Sequence, residues 1–593
     1  MIVSLDIATL TQAYATGTLT PEAVLTCIYN RIAVEGERPV WITLVPRATA
    51  LAKLKSAPKG PLWGIPFAVK DNIDVAGLPT TCACPEFAYT PARSATVVEK
   101  LEAAGAILIG KTNLDQFATG LVGTRSPYGI PSSVFDPDYI SGGSSSGSAV
   151  AVAGGLVSFA LGTDTAGSGR VPAAFNNIVG LKPTKGLLSA RGVVPACRTQ
   201  DTISIFALTS ADSARILDVA AGYDAEEPYS RKAPARAYEP LPKGLRVGIP
   251  SAPLDYYGDT ETERLYGLAI ERLRALGYDI VPFDFEPFHE AASLLYSGPW
   301  VAERLAAIKD FAAKQPNAIH DVVRGIILSA EKLSAVTAFE GLYRLAELTR
   351  RAETEWAKMD VLILPTTPTT YKISEVLADP VRLNSNLGLY TNFVNLMDLS
   401  ALAVPAGFRQ NGLPVGVTVM GRAFDDKRLA VLGDALHRSL GEIKLGATSL
   451  PLASTPAIPT APSKRIEVAV VGAHLTGQPL NTQLIERNAR LVRTTRTAPG
   501  YSFYALANTT PAKPGLICDG KGSGNIELEI WEMDDAAFGS FVALIPPPLG
   551  IGSVKLADGT HVKGFLCESH AVHDAEDITR HGGWRAWLAQ KRT

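Results

Sequence analysis

The sequence predicts an α/β domain followed by a small β-rich domain, and three observations carry that reading. Up to about Leu445, helical periodicity alternates with short apolar runs, such as those at 65–69, 106–109, 361–364 and 415–419. This alternation implies a sheet covered by helices on both faces. Residues 446–464, GATSLPLASTPAIPTAPSK, place prolines at 451, 456, 459 and 462 among small residues, the composition of an extended linker. Beyond it, the runs at 466–471, 501–505, 526–530, 541–545 and 562–566 are strand candidates separated by Gly and Pro turns. The expected organisation is therefore a first domain at 1–445, a linker at 446–464 and a β-rich domain at 465–593, with no internal repeat.

From the amino end, Thr20-Pro21-Glu22 sets a capping hydroxyl before a proline at the first helical position, and Val24, Leu25, Ile28 and Ile32 follow as one apolar stripe. The first thirty or so residues lack a basic segment and an unbroken apolar core, so they read as surface helices and not as a signal peptide. The weakly polar run at 148–162 contains glycines and serines, is short for a bilayer span, and reads as a buried helix and strand. A chain of 593 residues exceeds what one core serves. Its 56 basic and 58 acidic residues nearly balance and form no dense cationic run, so nothing advertises a nucleic-acid or membrane surface; small-molecule chemistry fits better. Cys27, Cys82, Cys84, Cys197, Cys518 and Cys567 match neither a disulfide framework nor a zinc pair, and read as reduced thiols of a cytoplasmic protein.

Chemistry concentrates at 142–170, GGSSSGSAVAVAGGLVSFALGTDTAGSGR, where two serine and glycine loops supply hydroxyls, sharp turns and backbone donors. A serine nucleophile needs a base. In the first domain His289, His320 and His437 all sit in charged or amphipathic contexts typical of structural histidines. The stretch Gly143-Ser144-Ser145-Ser146-Gly147 matches a nucleophile elbow, but SSVFDPDYI before it reads as loop where that elbow requires a strand. Lys70 ends the apolar run at 63–69 and precedes Asp71-Asn72; it is either a base whose pKa burial lowers or a lysine snorkelling from a strand end.

The loop Gly142-Gly143-Ser144-Ser145-Ser146-Gly147-Ser148, then Gly162-Thr163-Asp164-Thr165-Ala166-Gly167-Ser168, with Lys70 in GIPFAVKDN, resembles the amidase signature family. Gly180-Leu181-Lys182-Pro183-Thr184 and the late GLPVGVTVMGRAFDD extend the resemblance over most of 1–440. It implies a mixed central sheet covered by helices and a Ser-Ser-Lys triad, with Ser168 as nucleophile, Ser144 as bridging serine on a cis peptide and Lys70 as terminal base. It also implies an oxyanion hole of the amides of Thr165, Ala166, Gly167 and Ser168, an acyl-enzyme, and no metal or organic cofactor. Ser146 and Ala166 stand where the family more often has glycine, and the triad positions are intact.

Eight residues at about 100° each set Tyr296 and Arg304 about 80° apart on one helical face. An arginine fork with a phenol suits a small carboxylate, while the bland reading is a surface ion pair to Glu303 or Asp310. The segment 296–304, the stretch TGLVGTRSPYG at 119–129 and TNFVNLMDLSALAVPAG at 391–407 resemble the allophanate hydrolases. That resemblance implies that Tyr296 and Arg304 hold the substrate carboxylate beside Gly123. The implied reaction is hydrolysis of allophanate through N-carboxycarbamate to ammonia and carbon dioxide in urea catabolism, by a homodimer coupled to a biotin-dependent urea carboxylase. Alternatives at this stage are an amidase for another small carboxylate-bearing amide, or an inert amidase-fold scaffold.

Residues 470–481, Pro547-Pro548-Leu549-Gly550-Ile551-Gly552 and Gly582-Gly583-Trp584-Arg585 resemble the allophanate hydrolase C-terminal domain, which implies a γ-glutamylcyclotransferase-like barrel assisting decarboxylation. His474 is its candidate active residue, with a structural histidine as the other reading. His561, His570, His573 and His581 with Cys567, Glu568 and Asp574 lack the paired spacing of a zinc site.

Overall fold

The computed structural model describes residues 4–591 apart from 37, 235, 442–443, 449, 453–456, 461–464, 488, 508 and 523–524. The chain divides into two compact units, Met1–Ala461 and Pro462–Thr593.

The first unit is built on eleven strands: β1 Trp41–Leu44, β2 Pro66–Lys70, β3 Ile107–Thr112, β4 Phe159–Asp164, β5 Val179–Lys182, β6 Thr202–Ala207, β7 Arg246–Pro250, β8 Asp279–Phe283, β9 Val361–Pro365, β10 Ser400–Phe408 and β11 Pro414–Gly421. They form one mixed sheet in the order β1-β3-β2-β4-β6-β5-β10-β11-β9-β7-β8. The four apolar runs of the sequence lie in β2, β3, β9 and β11. β2 through β6 are buried along their whole length, as expected of a sheet covered on both faces. The helix Pro21–Glu35 starts as its sequence dictates: Thr20 accepts from the Ala23 amide at 3.2 Å, and Val24, Leu25 and Ile28 are buried.

Parallel pairing of β2 with β3 and with β4 fixes where the chemistry falls. Lys70 and Asp164 end neighbouring parallel strands and leave the sheet at the same edge. The run at 148–162 resolves as expected into the buried helix Ser146–Ala153 and the start of β4.

The segment expected to be an extended linker is in part folded onto the first unit. Asn177 Nδ2 donates to the carbonyls of Lys444 at 2.7 Å and Gly446 at 3.0 Å, the Ala447 amide donates to Ala153 O at 3.0 Å, and Leu445, Leu452 and Ile458 are buried. Its prolines do not prevent this, because Leu452 and Ile458, with Leu445 just before the segment, have a surface to cover. Residues 453–456 and 461–464, with Pro456 and Pro462, lie outside the described residues.

The second unit is β-rich. Its strands are β12 Arg465–Val470, β13 Arg490–Arg496, β14 Tyr501–Ala505, β15 Pro514–Cys518, β16 Glu527–Asp534, β17 Leu549–Lys555, β18 His561–Cys567 and β19 Glu576–Asp577. Five form a sheet in the order β13-β16-β12-β18-β17, and three form another, β15-β14-β19. The strand expected at 541–545 is instead the end of a helix, Asp535–Val542. Asp534 caps it by accepting from the Ala537 amide at 2.7 Å, and Phe541 is buried on its inner face. A short apolar run fits a buried helical turn as well as a strand, and here the cap decides. β13, RLVRTTR, is an edge strand whose Arg490 and Arg493 pair with Glu532 and Glu467, so it carries no apolar run to betray it.

Candidate functional site

Lys70 is fully buried, and its Nζ lies 2.8 Å from Ser144 Oγ and 2.7 Å from Thr163 Oγ1 on β4. Burial pulls its pKa from 10.5 down to about 7, against the opposing pull of Asp115, Asp201 and Asp164. Near neutral pH the amine therefore has a large uncharged fraction. Ser144 follows a cis Gly143–Ser144 peptide and opens into the helix Ser146–Ala153.

Ser168 lies in the turn after β4, is 3% exposed, and its Oγ donates at a long 3.5 Å to Gly120 O. The structure thus joins Lys70 to Ser144; among the described residues Ser144 and Ser168 form no hydrogen bond with each other. The turn is organised by Asp164, whose carboxylate accepts from the amides of Gly167 and Gly169, both at 3.0 Å, and from Arg170 Nε and Nη2, both at 2.9 Å. Burial opposes ionisation of Asp164, but Arg170 outweighs it and holds the carboxyl below its ordinary range. Asn395 Nδ2 donates to Asp164 O at 2.7 Å and completes the brace.

The four expected oxyanion donors differ in their present engagement. The Gly167 N–H is spent on Asp164, whereas the amides of Thr165, Ala166 and Ser168 have no partner among the described residues. Gly167 is nonetheless required: its φ is +132°, and a Cβ there would meet Thr391 Oγ1 at 2.5 Å. Thr165 Oγ1 donates to Asp201, which also accepts from the amides of Ala196 at 2.7 Å and Cys197 at 3.2 Å, and whose pKa burial raises to about 6. An open cleft of about 280 Å³, lined by Lys185, Arg198, Arg231 and Asp398 among others, shares Asp201 with this turn.

Gly123, with φ +76°, donates its amide to Asp115 Oδ2 at 3.0 Å; a Cβ there would lie 2.8 Å from Gly142 O and 2.9 Å from Ser146 Cβ. It therefore packs against the loop that presents Ser144.

Tyr296 and Arg304 come together, though not on one helix face. Tyr296 belongs to the helix Glu286–Ser297 and Arg304 to the helix Trp300–Lys314. Pro299 has no N–H to continue the first helix, and Gly298 before it is extended (φ −99°, ψ −164°). Across this break Arg304 Nη2 donates to Tyr296 Oη at 3.3 Å, and the guanidinium carbon stands 5.2 Å from the ring centre. Arg304 is 2% exposed; its Nη1 donates to Thr119 Oγ1 at 3.0 Å and Ala118 O at 3.4 Å, and its Nε has no partner. The alternative reading, an ion pair to Glu303 or Asp310, is not formed among the described residues; Glu303 accepts from the amide and hydroxyl of Thr199.

Sequence reasoning missed Thr163, Asp164, Arg170 and Asp201. Asp164 carried a signal, being a carboxylate at the end of an otherwise apolar strand inside the serine motif. Among the described residues no histidine is hydrogen-bonded to either serine. His437 is fully buried with both ring nitrogens unpartnered, and burial lowers its pKa to about 3; His289 stacks on Phe285. In the second unit His474 is half-buried, hydrogen-bonded through Nε2 to Gln483 Oε1 at 2.9 Å and stacked on Phe565, and burial lowers its pKa. Among the described residues no cluster of His, Cys, Asp or Glu has a geometry that would hold a metal, no helix is long and apolar enough to cross a membrane, and all six cysteines are free.

Residues 41–430 match the amidase family and residues 466–589 the allophanate hydrolase C-terminal domain. The chain is 45% identical over 573 residues to a urea amidolyase of Lachancea kluyveri, covering 93% of this chain but 31% of that protein. It thus spans about a third of the length of the curated relatives it matches first. Among solved structures it is similar to Kluyveromyces lactis allophanate hydrolase (TM-score 0.75, 43% identity, 99% of each chain). It is also similar to K. lactis urea amidolyase (TM-score 0.74, 42% identity, all of this chain and 37% of that one). With an amidase match over 41–430 and an allophanate hydrolase C-terminal domain match behind it, the chain belongs to the amidase family.

Proposed function

We propose that this chain is a serine amidohydrolase that hydrolyses allophanate. Neutral Lys70 takes the Ser144 proton as Ser144 takes that of Ser168. Ser168 Oγ attacks the terminal amide carbon, and the oxyanion faces the amides of Thr165, Ala166 and Ser168. The relay returns a proton to the departing ammonia, and water, deprotonated by the same route, releases N-carboxycarbamate. Loss of carbon dioxide from that product, assisted by the second unit with His474 as candidate residue, leads to two ammonia and two carbon dioxide in all. The buried amine, 2.8 Å from Ser144 and with its pKa drawn down to about 7, supports the relay.

One observation carries the choice of substrate class. Arg304 is buried, donates only to neutral oxygens and has an orphaned Nε, so a carboxylate would complete it, with Tyr296 as a further donor and Gly123 alongside. The similarity to urea amidolyases, of which this chain covers about a third, supports coupling to a biotin-dependent urea carboxylase that supplies the substrate. A homodimer in the cytoplasm completes the reading. The test is Arg304→Ala: it should raise the KM for allophanate by roughly a hundredfold, as loss of one buried charged partner does, while Ser168 still labels with a serine-reactive fluorophosphonate. Unchanged allophanate turnover would remove the assignment.

A further inference from the structure

We infer that Arg125 is the second cation of a two-guanidinium anion pocket and acts with Arg304 to select carboxylate-bearing amides. The inference rests on the reading that Arg304 holds the substrate carboxylate. Arg125 is 1% exposed. Its Nη1 donates to Thr119 O at 2.9 Å and its Nη2 to Pro380 O at 2.6 Å, while its Nε, like that of Arg304, is buried without a partner. Thr119 is thus gripped from two sides, its carbonyl by Arg125 and its hydroxyl by Arg304 at 3.0 Å. The next residue, Gly120, supplies the carbonyl that accepts from Ser168 Oγ. Both fixed charges are therefore anchored to the segment against which the nucleophile rests.

Neither guanidinium lies within ion-pair distance of a carboxylate among the described residues. The acidic groups nearby are occupied. Asp115 accepts from the amides of Val122, Gly123 and Arg125, Asp201 from Thr165, Ala196 and Cys197, and Glu303 from Thr199. A buried cation with no carboxylate in direct contact is costly, and Asp115 pulls on Arg125 only from beyond ion-pair distance. Two such guanidiniums anchored on the same Thr119 mark a place that an anion completes. The reaction supplies the negative charge: the substrate brings one carboxylate, attack by Ser168 adds an oxyanion, and hydrolysis of the acyl-enzyme yields a dicarboxylate. Because two of its nitrogens are pinned to carbonyls, Arg125 needs little reorganisation to serve them.

The test compares allophanate with biuret, which replaces the carboxylate by a neutral carboxamide of nearly the same shape. KM is read for allophanate, and an inhibition constant for biuret from its slowing of fluorophosphonate labelling at Ser168. Arg125→Met should weaken allophanate roughly tenfold or more and leave biuret within about twofold. Arg125→Lys, which keeps the charge, should retain most of the preference. Equal weakening of both ligands by Arg125→Met would make the residue a wall brace and overturn the inference, as would no change, or a Lys variant that loses the preference entirely. If Arg125→Met does not fold, the Lys variant decides alone. A wild-type enzyme with no preference for allophanate over biuret, or an Arg304→Ala variant that keeps it, would instead overturn the reading of Arg304.

Discussion

Replacing Lys70 by methionine should cut turnover severely while making the first unit more stable at neutral pH. The amine is held at about 7 instead of 10.5, a displacement that costs the fold roughly 5 kcal/mol when the lysine of the unfolded chain is charged, at about 1.4 kcal/mol per pH unit. Methionine keeps most of the volume and has no charge to desolvate. It also leaves Ser144 and Thr163 without the Lys70 contacts at 2.8 and 2.7 Å, a loss of about 1 kcal/mol each. The net gain is about 3 kcal/mol well below pH 7 and about 2 kcal/mol at pH 7, where about half of the folded amines are charged. The sign follows from proton counts. Between pH 7 and 10.5 the unfolded chain binds the lysine proton and the folded chain does not, so wild-type stability rises with pH through that window. The advantage of Lys70→Met is therefore full below about pH 7 and gone as pH approaches 10.5. Denaturant unfolding of both proteins at pH 7 and pH 10, followed by a signal from the first unit, measures it, alongside an expected fall in turnover on the order of a thousandfold. A variant equally destabilised at both pH values would refute the account of Lys70 as a strained, uncharged base.

Two other substitutions probe separate links. Gly123→Ala forces a Cβ into Gly142 O and Ser146 Cβ at a positive φ; it should cost roughly 1–3 kcal/mol and displace the Ser144 loop, and normal fluorophosphonate labelling of Ser168 with normal stability would contradict the packing described. Asp534→Ala removes the cap of the helix Asp535–Val542 and should destabilise the second unit by about 1 kcal/mol; a thermal scan resolving that unit that shows no change would mean the cap contributes nothing.

Much of the fold was legible because burial writes itself into apolar runs: β2, β3, β9 and β11 were all visible as such. The misses have physical causes. β13 is an edge strand whose Arg490 and Arg493 pair with glutamates, so charge hides it. The run at 541–545 carries no period long enough to separate helix from strand, and Asp534 settles it from outside the run. At the site, the motifs of the family resemblance pointed to Lys70, Ser144 and Ser168, and the structure brings the first two into contact. Helical geometry put Tyr296 and Arg304 on one face, whereas Pro299 breaks the helix and the two meet across the break. The supports of the nucleophile turn could not be read locally, since Asp164 is met by Arg170 but also by Asn395, more than two hundred residues away.

The central claim is that Ser168 opens allophanate. Ammonia release by the purified chain supplied with allophanate tests it most directly, with Ser168→Ala as the paired sample. The account predicts two ammonia per allophanate from the wild type and none above background from the variant. Ammonia release at the wild-type rate by Ser168→Ala, or none from the wild type, would contradict it.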